Sequence, residues 1–491
     1  MVTFTSGLPG GNRNNNGEFN NLGSVGVWWS SSENNNNNAW NLNLNNNNGN
    51  VNRNNNNKEN GLSVRCLRDL CFNSPWVSIQ GLNLKKMQLD LFPEIDRSQL
   101  MEEMFEAYFE CRKNKRNTLN ALQFEKNLEK NVFELIDEVF TGNYKPGPCI
   151  AFIVNRPVKR EVFAASFRDR VIHHWLIRKL NPLFEDLFIN DSYACRVGKG
   201  THFGVQRIYH FIKSCSQNYT ADSYILKLDV QGFFMHINRI LLFNELEKFI
   251  HQRYKSPDKM LVLEMTKKVV FNNPIEHCII KGHKKNWEGL PKNKSLFHSP
   301  PNCGLPIGNL TSQVFANFYM HSFDSYLKKD LKVEYYGRYV DDFVLVHWNK
   351  DYLKSLIQKI STFLKSNLEL TLHPKKVYFQ HFSKGVTFLG TVIKPHRIYI
   401  SNRTKGNFYA AIEKQNRIIK NQKPGKLEKA AFLSNMNAYL GIMKHYKTYK
   451  LRKRMIFKNL SGYWLNHFYL KGGLARFISK VRKVKGPFQR M

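Results

Sequence analysis

The stretch RYVDDFVLV, residues 338–346, sets two adjacent aspartates between apolar residues. Apolar runs on both sides favour two β-strands, and aspartates suit the tight turn of the hairpin that joins such strands. Two neighbouring carboxylates beside buried strands are costly unless cations compensate their charge. Mg²⁺ suits this role because it accepts carboxylate oxygens together with phosphate oxygens. The stretch therefore favours a metal-binding hairpin, although so short a pattern alone also fits a solvated pair of turn aspartates.

A second apolar stretch, ILKLDVQGFF at residues 225–234, has the features of a buried strand that ends at Asp229. Alone, Asp229 is more typical of an acid that caps a strand end. One aspartate from a strand and two from a neighbouring hairpin, however, can hold two metal ions about 3.5–4 Å apart. The paired occurrence therefore predicts Asp229, Asp341 and Asp342 as metal ligands and catalytic residues.

The charge of the chain points to a polyanionic partner. Its 491 residues carry a formal net charge of +36, and the first 70 residues contribute only five Lys or Arg and four Asp or Glu. So large an excess on a sequence that is 42% hydrophobic favours nucleic acid, whose phosphates such a surface neutralises. A membrane surface is disfavoured because the sequence has no amphipathic basic helix and no lipidation motif.

Cysteine usage and the distribution of apolar residues predict a cytoplasmic protein. The eight cysteines form no Cys-x-x-Cys pair and no Cys/His cluster with zinc spacing, which is typical of reduced thiols. The first residues lack the apolar core of a signal peptide, and no apolar run is long enough to span a bilayer. We therefore expect a cytoplasmic protein without membrane contact.

The pattern of apolar residues divides the chain into several parts. Residues 1–70 are rich in Asn, and residues 92–140 show apolar residues at helical spacing. From 149 to 393 strands alternate with helices, interrupted by a basic insertion at 255–299, and residues 402–491 have the pattern of basic helices. These patterns predict a chain that combines helices and strands. The clearest predicted strands are YILKLDV, EYYGRYVDDFVLVHW and VTFLGTVI.

The order of the motifs from about Phe92 to Lys485 resembles that of reverse transcriptases. Asp229 matches the first catalytic aspartate of that family, and Asp341 and Asp342 match its metal-binding pair. Further stretches that resemble family motifs are FRDRV at 167–171 and YACRVGKGTH at 193–202 in the fingers, LTLHPKK at 370–376 in the palm, and FLG at 388–390 in the primer grip.

The resemblance implies an α+β fold, that of a right-hand polymerase with an antiparallel palm sheet. Fingers and palm would occupy residues 92–396, and a helical thumb would occupy residues 397–491. Residues 1–70, expected to be disordered, and a linker at 71–91 would precede them. The implied ligands are two Mg²⁺ ions, with Mn²⁺ as an alternative, together with dNTPs, template RNA and the RNA/DNA duplex.

The resemblance also implies roles for individual side chains. Phe234 is placed as the steric gate that excludes a ribose 2′-hydroxyl, with an ordinary core Phe as the alternative. Arg160 is placed on the incoming phosphates, but the Gly-rich turn that commonly precedes this arginine is missing, so a solvated surface arginine is the alternative. Lys376 would lie near the triphosphate. Arg170 and Arg196 would bind the template.

The stretch GLPIGNLTSQ, residues 304–313, resembles the enzymes of diversity-generating retroelements. Many other reverse transcriptases have Gln before the second glycine and Pro after the serine, where this chain has Ile307 and Gln313. Gly308 would let the backbone approach the nascent base pair, where an aliphatic Ile307 cannot hydrogen-bond and discriminates less. Such enzymes copy template adenines with errors and work with a small basic helical accessory variability protein. The alternative for Ile307 is a side chain that only fills an apolar gap.

Other hypotheses remain open for the whole chain. A defence-associated or retron-like reverse transcriptase would share these motifs. A catalytically silent RNA-binding scaffold is a different class, which the intact aspartates disfavour. The sequence shows no endonuclease motif and no zinc-binding tail, which disfavours a group II intron protein. The resemblance implies a bacterial or phage-encoded protein.

The Asn-rich start resembles another part of such a retroelement. Asn accounts for 24 of the first 60 residues. GVWWSSS at 26–32 and GLSVRCLRD at 61–69 resemble the end of a C-type-lectin-like variable protein, whose template repeat would give Asn runs when translated in frame. Residues 1–70 are therefore interpreted as a template repeat read into the polymerase frame, with Met87 as an alternative start. An Asn-rich, prion-like tail is the alternative interpretation.

Overall fold

The computed structural model describes residues 95–113, 118–155 and 158–480, and before residue 95 it describes six strand segments. Two compact units are present, Met1–Lys86 and Met87–Met491. The strands of the first unit are β1 (Asn12–Arg13), β2 (Phe19–Asn20), β3 (Val25–Glu33), β4 (Asn38–Asn45), β5 (Val51–Asn57) and β6 (Gly61–Leu62). Strands β3, β4 and β5 pair antiparallel in that order, and β1 pairs with β2 and β6. The predicted disorder of residues 1–70 falls largely outside the described residues, as does the 71–91 linker, and stays a prediction.

The second unit combines helices with short strands. Its helices are α1 (Arg97–Arg112), α2 (Leu119–Glu125), α3 (Leu128–Phe140), α4 (Phe167–Leu187), α5 (Thr201–Cys215), α6 (Phe233–His236), α7 (Arg239–Arg253), α8 (Lys259–Phe271), α9 (Leu310–Tyr319), α10 (His321–Ser325), α11 (Lys350–Leu368), α12 (Asn402–Asn421), α13 (Lys426–Met443), α14 (Tyr449–Asn459) and α15 (Gly462–His467). Its strands are β7 (Ile150–Val154), β8 (Arg160–Ala164), β9 (Tyr224–Asp229), β10 (Ile279–Ile280), β11 (Tyr335–Tyr339), β12 (Asp342–His347), β13 (Tyr378–His381), β14 (Val386–Phe388), β15 (Thr391–Lys394), β16 (Arg397–Ile400), β17 (Phe468–Lys471) and β18 (Arg476–Ser479). Among the described residues, no helix is both long and apolar enough to cross a membrane.

A four-stranded antiparallel sheet with the order β11-β12-β9-β13 forms the centre of this unit. Strands β9, β11 and β12 are largely buried, whereas the edge strand β13 is partly exposed. Leu228 and Phe343 belong to the largest apolar core, together with residues of helix α11, whereas Ile225 and Val344 belong to a second core with helix α5. Strands covered on both sides form continuous apolar runs in the sequence. The predicted α+β class and the antiparallel sheet are confirmed.

One predicted strand is wrong. The segment VTFLGTVI forms two strands, β14 and β15, which pair antiparallel and continue to β16. The turn between them lies at Leu389 and Gly390, whose φ angles are +46° and +82°. Two consecutive residues in the left-handed region reverse the chain, so the apolar run cannot continue as one strand.

The C-terminal helical region, residues 401–480, has its own core, in which the rings of Phe432 and Trp464 stack with centroids 4.2 Å apart. The prediction that the region is helical to its end is wrong, because β17 and β18 form an antiparallel hairpin. Gly472 and Gly473, with φ angles of +65° and +62°, form the turn. Glycine adopts positive φ angles without strain, and a residue with a positive φ cannot be part of a right-handed helix.

The basic insertion begins as helix α8 and continues as an irregular segment, residues 272–303, here called the insertion loop. Its short strand β10 pairs parallel with β7, and β7 pairs antiparallel with β8. The insertion loop therefore contributes one edge strand, β10, to a small sheet with the order β10-β7-β8. The other edge strand, β8, carries Arg160.

Candidate active site

The three predicted aspartates meet at one end of the central sheet. Asp342 begins β12 directly opposite Asp229, the last residue of β9. Asp341 lies in the two-residue turn between β11 and β12, and its carbonyl accepts a 3.3 Å hydrogen bond from the Val230 amide. The other turn residue, Val340, has a φ of +59°, which is strained for a β-branched side chain. The predicted hairpin with acids at its turn is confirmed.

Two lysines hold carboxylates of this cluster. The Lys376 ammonium donates to Asp229 Oδ1 over 2.8 Å, and Lys227 Nζ lies 3.1 Å from Asp342 Oδ2. Lys227 precedes Asp229 by two residues, so its side chain lies on the same face of β9 and diagonally across from Asp342. Sequence reasoning missed Lys227, although the two-residue period of a strand could have identified it.

Burial and mutual repulsion perturb these acids. Burial, together with the nearby Asp229 carboxylate, raises the pKa of Asp341 to about 7. Burial also raises the pKa of Asp342 to about 6, against the lowering effect of the Lys227 ammonium. Carboxyl groups with such pKa values are incompletely charged near neutral pH unless a cation favours the charged form.

The donor set of the cluster suits a divalent cation. Asp342 Oδ1 is buried and has no hydrogen-bond partner in the described part of the chain. An unpartnered buried carboxylate oxygen costs free energy, which a bound cation would compensate. Among residues 95–480 as described, no three His, Cys, Asp or Glu side chains are already arranged as a metal site. Lys227 and Lys376 each pair with one carboxylate of the cluster, so the carboxylates are oriented towards the two lysines rather than towards a common centre.

A buried ion pair supports the turn. Arg338, fully buried in β11, donates to the two carboxylate oxygens of Asp324 over 2.8 and 2.5 Å. The same guanidinium donates to the Val340 carbonyl over 2.9 Å, and the Tyr336 hydroxyl donates to Asp324 over 2.6 Å. Bidentate pairs of this kind fix orientation as well as charge. Arg338 therefore connects the strained turn residue to helix α10, which carries Asp324.

A cavity of about 570 Å³ opens beside the aspartates. It combines most of the predicted site residues with others that the sequence analysis did not single out. The predicted residues that line it are Asp229, Asp341, Asp342, Arg160, Phe234, Ile307 and Lys376. Further lining residues include Lys159, Asn293, Lys294, His373, Leu389 and Arg403. Since the insertion loop and helix α12 are distant from the aspartates in sequence, no motif spacing could indicate their contribution.

The loop before helix α9 packs against β8. Phe163 in β8 donates its backbone amide to the Ile307 carbonyl over 2.9 Å. Gly308 has a φ of +126°, and a Cβ at this position would lie 2.8 Å from Val162 Cγ1, so only glycine fits without strain. The Ile307 side chain lines the cavity and also packs on an apolar cluster that includes Phe163 and Met235. Its position is therefore compatible with both sequence interpretations of this residue.

Other predicted residues lie outside the cavity lining. The Arg196 guanidinium is only 5% exposed and donates to Glu185 and to two backbone carbonyls. These contacts hold its own loop, so the structure does not support template binding through this side chain. Gln313 accepts a 3.0 Å hydrogen bond from Cys195 Sγ. Arg170 is partly buried in helix α4, and burial lowers its pKa.

Known proteins resemble the middle of the chain in sequence. Residues 159–393 match the family model described as "Reverse transcriptase (RNA-dependent DNA polymerase)". Protein YkfC of Escherichia coli (strain K12) is 22% identical over 306 residues, which cover 55% of this chain and 73% of YkfC. The group II intron-encoded protein LtrA of Lactococcus lactis subsp. cremoris is 18% identical over 334 residues, which cover 55% of this chain and 50% of LtrA.

Solved structures of telomerases are similar at a lower level. Apo telomerase from Candida Tropicalis aligns with a TM-score of 0.39 at 12% identity, over 74% of this chain and 76% of that chain. Telomerase from Candida albicans in complex with a TWJ fragment of telomeric RNA aligns with a TM-score of 0.38 at 13% identity, over 64% and 57% of the two chains. The segment that matches the family model includes all three aspartates. Residues 159–393 therefore match a reverse transcriptase domain, which supports an RNA-directed DNA polymerase activity for this chain.

Proposed function

We propose that this chain adds dNTPs to a DNA primer along an RNA template, with Asp229, Asp341 and Asp342 as its catalytic residues. The observation that carries the proposal is the strand register, which sets Asp342 opposite Asp229 with Asp341 in the adjacent turn. The three acids line one cavity together with cationic and aromatic side chains, the groups that a nucleoside triphosphate requires.

The carboxylates would hold two divalent ions, Mg²⁺ or Mn²⁺, with Asp229 and Asp341 as main ligands and Asp342 in support. Bound ions in such sites favour deprotonation of the attacking 3′-hydroxyl and neutralise charge on the leaving pyrophosphate. Lys376 would exchange its Asp229 partner for a phosphate oxygen of the nucleotide. Lys227 would keep Asp342 oriented at the end of the sheet.

Phe234 and Arg160 would select and orient the nucleotide. The Phe234 ring lines the cavity and packs against Phe233, with centroids 5.4 Å apart. A ring held by its neighbours cannot move aside for an added hydroxyl, so it would exclude rNTPs. Arg160 is exposed at the cavity, where it would contact phosphates. Arg170 would bind the template.

Residues 92–396 would form fingers and palm, and residues 397–491 would form a thumb that holds the template–primer duplex. Residues 397–480 contain nineteen Lys or Arg and two Glu, a composition that suits contact with phosphates. Both glutamates already have partners, since Glu413 accepts from Arg417 and Glu428 accepts from the Gly425 amide. The remaining cationic side chains would face nucleic acid with little competition from carboxylates.

The biological role that we propose is error-prone copying at template adenines within a diversity-generating retroelement. It is supported by Ile307, an aliphatic cavity residue at a position where many relatives have a hydrogen-bonding Gln. A site with fewer polar contacts discriminates less between correct and incorrect substrates. The Asn-rich residues 1–70 would be a template repeat read in frame. A small basic helical accessory variability protein would be a partner.

A group II intron-type role is a second candidate, because the curated relatives include the group II intron-encoded protein LtrA. The DNA that flanks the coding sequence separates the two. A nearby near-duplicate of the segment encoding Gly10 to Asp69, differing mainly at adenines, is expected for the retroelement. A flank without such a copy would contradict that role and favour the intron-type candidate.

Primer extension on an RNA template tests the catalytic assignment. Asp341→Ala should lower the rate about a thousandfold or more, since metal-ion catalysis supplies several kcal/mol of transition-state stabilisation. Asp351→Ala is the matched control, because its side chain is 89% exposed at the start of helix α11. Extension that survives Asp341→Ala would refute the site.

The same assay, followed by sequencing of the cDNA, tests the error-prone role. Ile307→Gln should reduce misincorporation opposite adenine relative to the other bases, because it restores a hydrogen-bonding side chain at the cavity. Ile307→Leu keeps an aliphatic side chain and should retain the wild-type error pattern. A wild-type enzyme that copies adenine as accurately as the other bases would contradict the proposal.

A further inference from the structure

The insertion loop is fixed to strand β8 by one buried carboxylate. Glu161 is 1% exposed and accepts hydrogen bonds from Trp287 Nε1 over 2.6 Å, from Ser295 Oγ over 2.7 Å and from the Leu296 amide over 2.6 Å. A buried carboxylate that is satisfied by three donors holds those donors in place, because the loss of any one would leave a charge poorly compensated. Glu161 therefore determines where the insertion loop lies.

Further contacts hold the loop on the same side. The Lys159 ammonium donates to the Glu288 carbonyl. The ring of Phe297 packs against Phe163 of β8, with centroids 5.4 Å apart, and against Trp287 at 6.4 Å. These contacts fix the loop to strand β8 and Lys159, so a residue of the loop has a defined position relative to Arg160.

The loop closes on the segment that follows the first aspartate. Gly232 has a φ of +57°, and a Cβ at this position would lie 2.7 Å from the Asn293 carbonyl oxygen. The backbones at Gly232 and Asn293 are therefore in contact, three residues after Asp229. Because the loop approaches Gly232 so closely, Asn293 and Lys294 line the cavity.

The lysines that line the cavity differ in whether their ammonium groups have a partner within the protein. Lys376 forms an ion pair with Asp229, and Lys159 is bound to the Glu288 carbonyl. Lys294 is exposed at the cavity and forms no salt bridge or side-chain hydrogen bond with the part of the chain that the structure describes. An ammonium group at a cavity that receives a triphosphate, without an internal partner, suits phosphate binding.

We propose that Lys294, presented by the insertion loop, binds the phosphates of the incoming nucleotide, and that Glu161 is the positioning residue that sets its location. The proposal rests on the proposed function, since it takes the cavity as the nucleotide site. In this proposal the insertion loop forms one wall of the nucleotide site, and the strands that carry the aspartates form another.

Steady-state primer extension at varied dNTP concentration tests Lys294. Lys294→Ala should raise the KM for dNTP about tenfold and leave kcat within about twofold, because a charge-assisted contact to the bound nucleotide contributes roughly a factor of ten. Lys294→Arg should retain most of the affinity. Lys292→Ala is the matched control, since Lys292 is exposed in the same short turn and does not line the cavity. A KM unchanged by Lys294→Ala would overturn the inference.

Glu161→Gln tests the positioning role. It should raise the KM for dNTP, and in the double variant with Lys294→Ala the two effects should not add, since both act through one contact. Additive effects would show that Glu161 acts elsewhere and would overturn its assignment.

Direct binding of dATP, measured by calorimetry with Ca²⁺ in place of the catalytic ion, separates this inference from the proposed function. Weaker binding by Lys294→Ala than by wild type supports the inference even when no extension is observed. Equal binding overturns it, whatever the polymerase activity. Wild-type protein that binds dATP through Lys294 without extending a primer would refute only the proposed function.

Discussion

Arg338 supports the geometry of the turn that carries Asp341. Its guanidinium is fully buried and holds Asp324 and the Val340 carbonyl at the same time. Arg338→Met should destabilise the protein by about 3–5 kcal/mol, because it leaves the Asp324 carboxylate buried without its cation. The free energy of unfolding in urea measures this loss.

A second variant separates stability from positioning. Arg338→Met combined with Asp324→Leu removes the unpaired charge and should restore most of the stability. Primer extension should stay impaired in this double variant, since nothing then holds the strained Val340 turn. Full activity of the double variant would contradict the positioning role of the pair.

Asp341 and Asp342 should make the ion-free protein less stable as pH rises. Their folded-state pKa values of about 7 and about 6 lie above the ordinary value of 3.8, so the folded protein binds more protons than the unfolded chain between these limits. The stability that these protons contribute is present at low pH and is lost as the pH rises through about 6 and 7.

Urea unfolding in a chelator at pH 5.5 and pH 8 measures this dependence. The decline in free energy of unfolding should be smaller for Asp341→Asn than for wild type, because an amide does not titrate. Asp351→Asn, on an exposed side chain, should leave the decline unchanged. Equal declines in all three proteins would refute the assignment.

At the level of single residues, the sequence predicted the candidate site where a motif combined the residue type with a fixed spacing along the chain. The three aspartates could be predicted to lie together because each follows or ends an apolar strand pattern. Phe234 and Lys376 were placed beside them by the resemblance to reverse transcriptases, and all five residues line one cavity. The role of Arg196 could not be predicted from its motif. Its type suits a phosphate, but its contact with Glu185 depends on how two segments pack.

Among the elements, the loop before α9 has little room for a side chain at Gly308. Gly308→Ala should lower stability by about 1–3 kcal/mol and reduce the rate of primer extension, since a Cβ would meet Val162 at 2.8 Å and a φ of +126° is unfavourable for alanine. Gly406→Ala is the matched control. It lies in helix α12 with nothing within 4 Å of the added Cβ, and should stabilise the protein by about 0.5–1 kcal/mol. Thermal unfolding and extension rates would be compared, and a neutral Gly308→Ala would contradict the close approach.

The two incorrect element predictions share one cause. Apolar spacing predicts strand or helix well inside an element, as in β9, β12 and α1 to α3, but it does not report where the chain reverses. Leu389 and Gly390 reverse one apolar run, and Gly472 and Gly473 reverse the last basic segment. Gly390 and the Gly472–Gly473 pair are turn signals that apolar spacing does not include, whereas Leu389 is atypical in the left-handed region.

Across the whole molecule, a groove extends from the aspartates along helix α12. The cavity at the aspartates shares Arg160, Asp342 and Arg403 with a neighbouring cavity of about 1000 Å³ that Lys405 also lines. That cavity adjoins a third, of about 960 Å³, lined by Lys414. The series suits a bound nucleic-acid duplex that leaves the catalytic site along the cationic C-terminal helical region.

The groove predicts a dependence of affinity on salt. Lys405→Ala and Lys414→Ala should each weaken binding of an RNA/DNA duplex and reduce the slope of log affinity against log salt concentration by about one or less. Fluorescence anisotropy at several salt concentrations measures both. Lys354→Ala on helix α11, a partly exposed lysine next to Asp351, should leave the slope unchanged. An equal slope for all variants would contradict the groove as the binding surface.

The pairing of β9 with β12 has a consequence for how the enzyme becomes active during synthesis. The two strands are separated in the chain by helices α6 to α10 and the insertion loop, yet Asp229 and Asp342 face each other only when these strands are hydrogen-bonded in register. A nascent chain released from the ribosome only as far as the insertion has one acid and no partner, and a shift of one residue would send every side chain of β9 to the opposite face. Alignment of the acids thus requires a long-range strand pairing, a kind of contact that forms slowly compared with local ones.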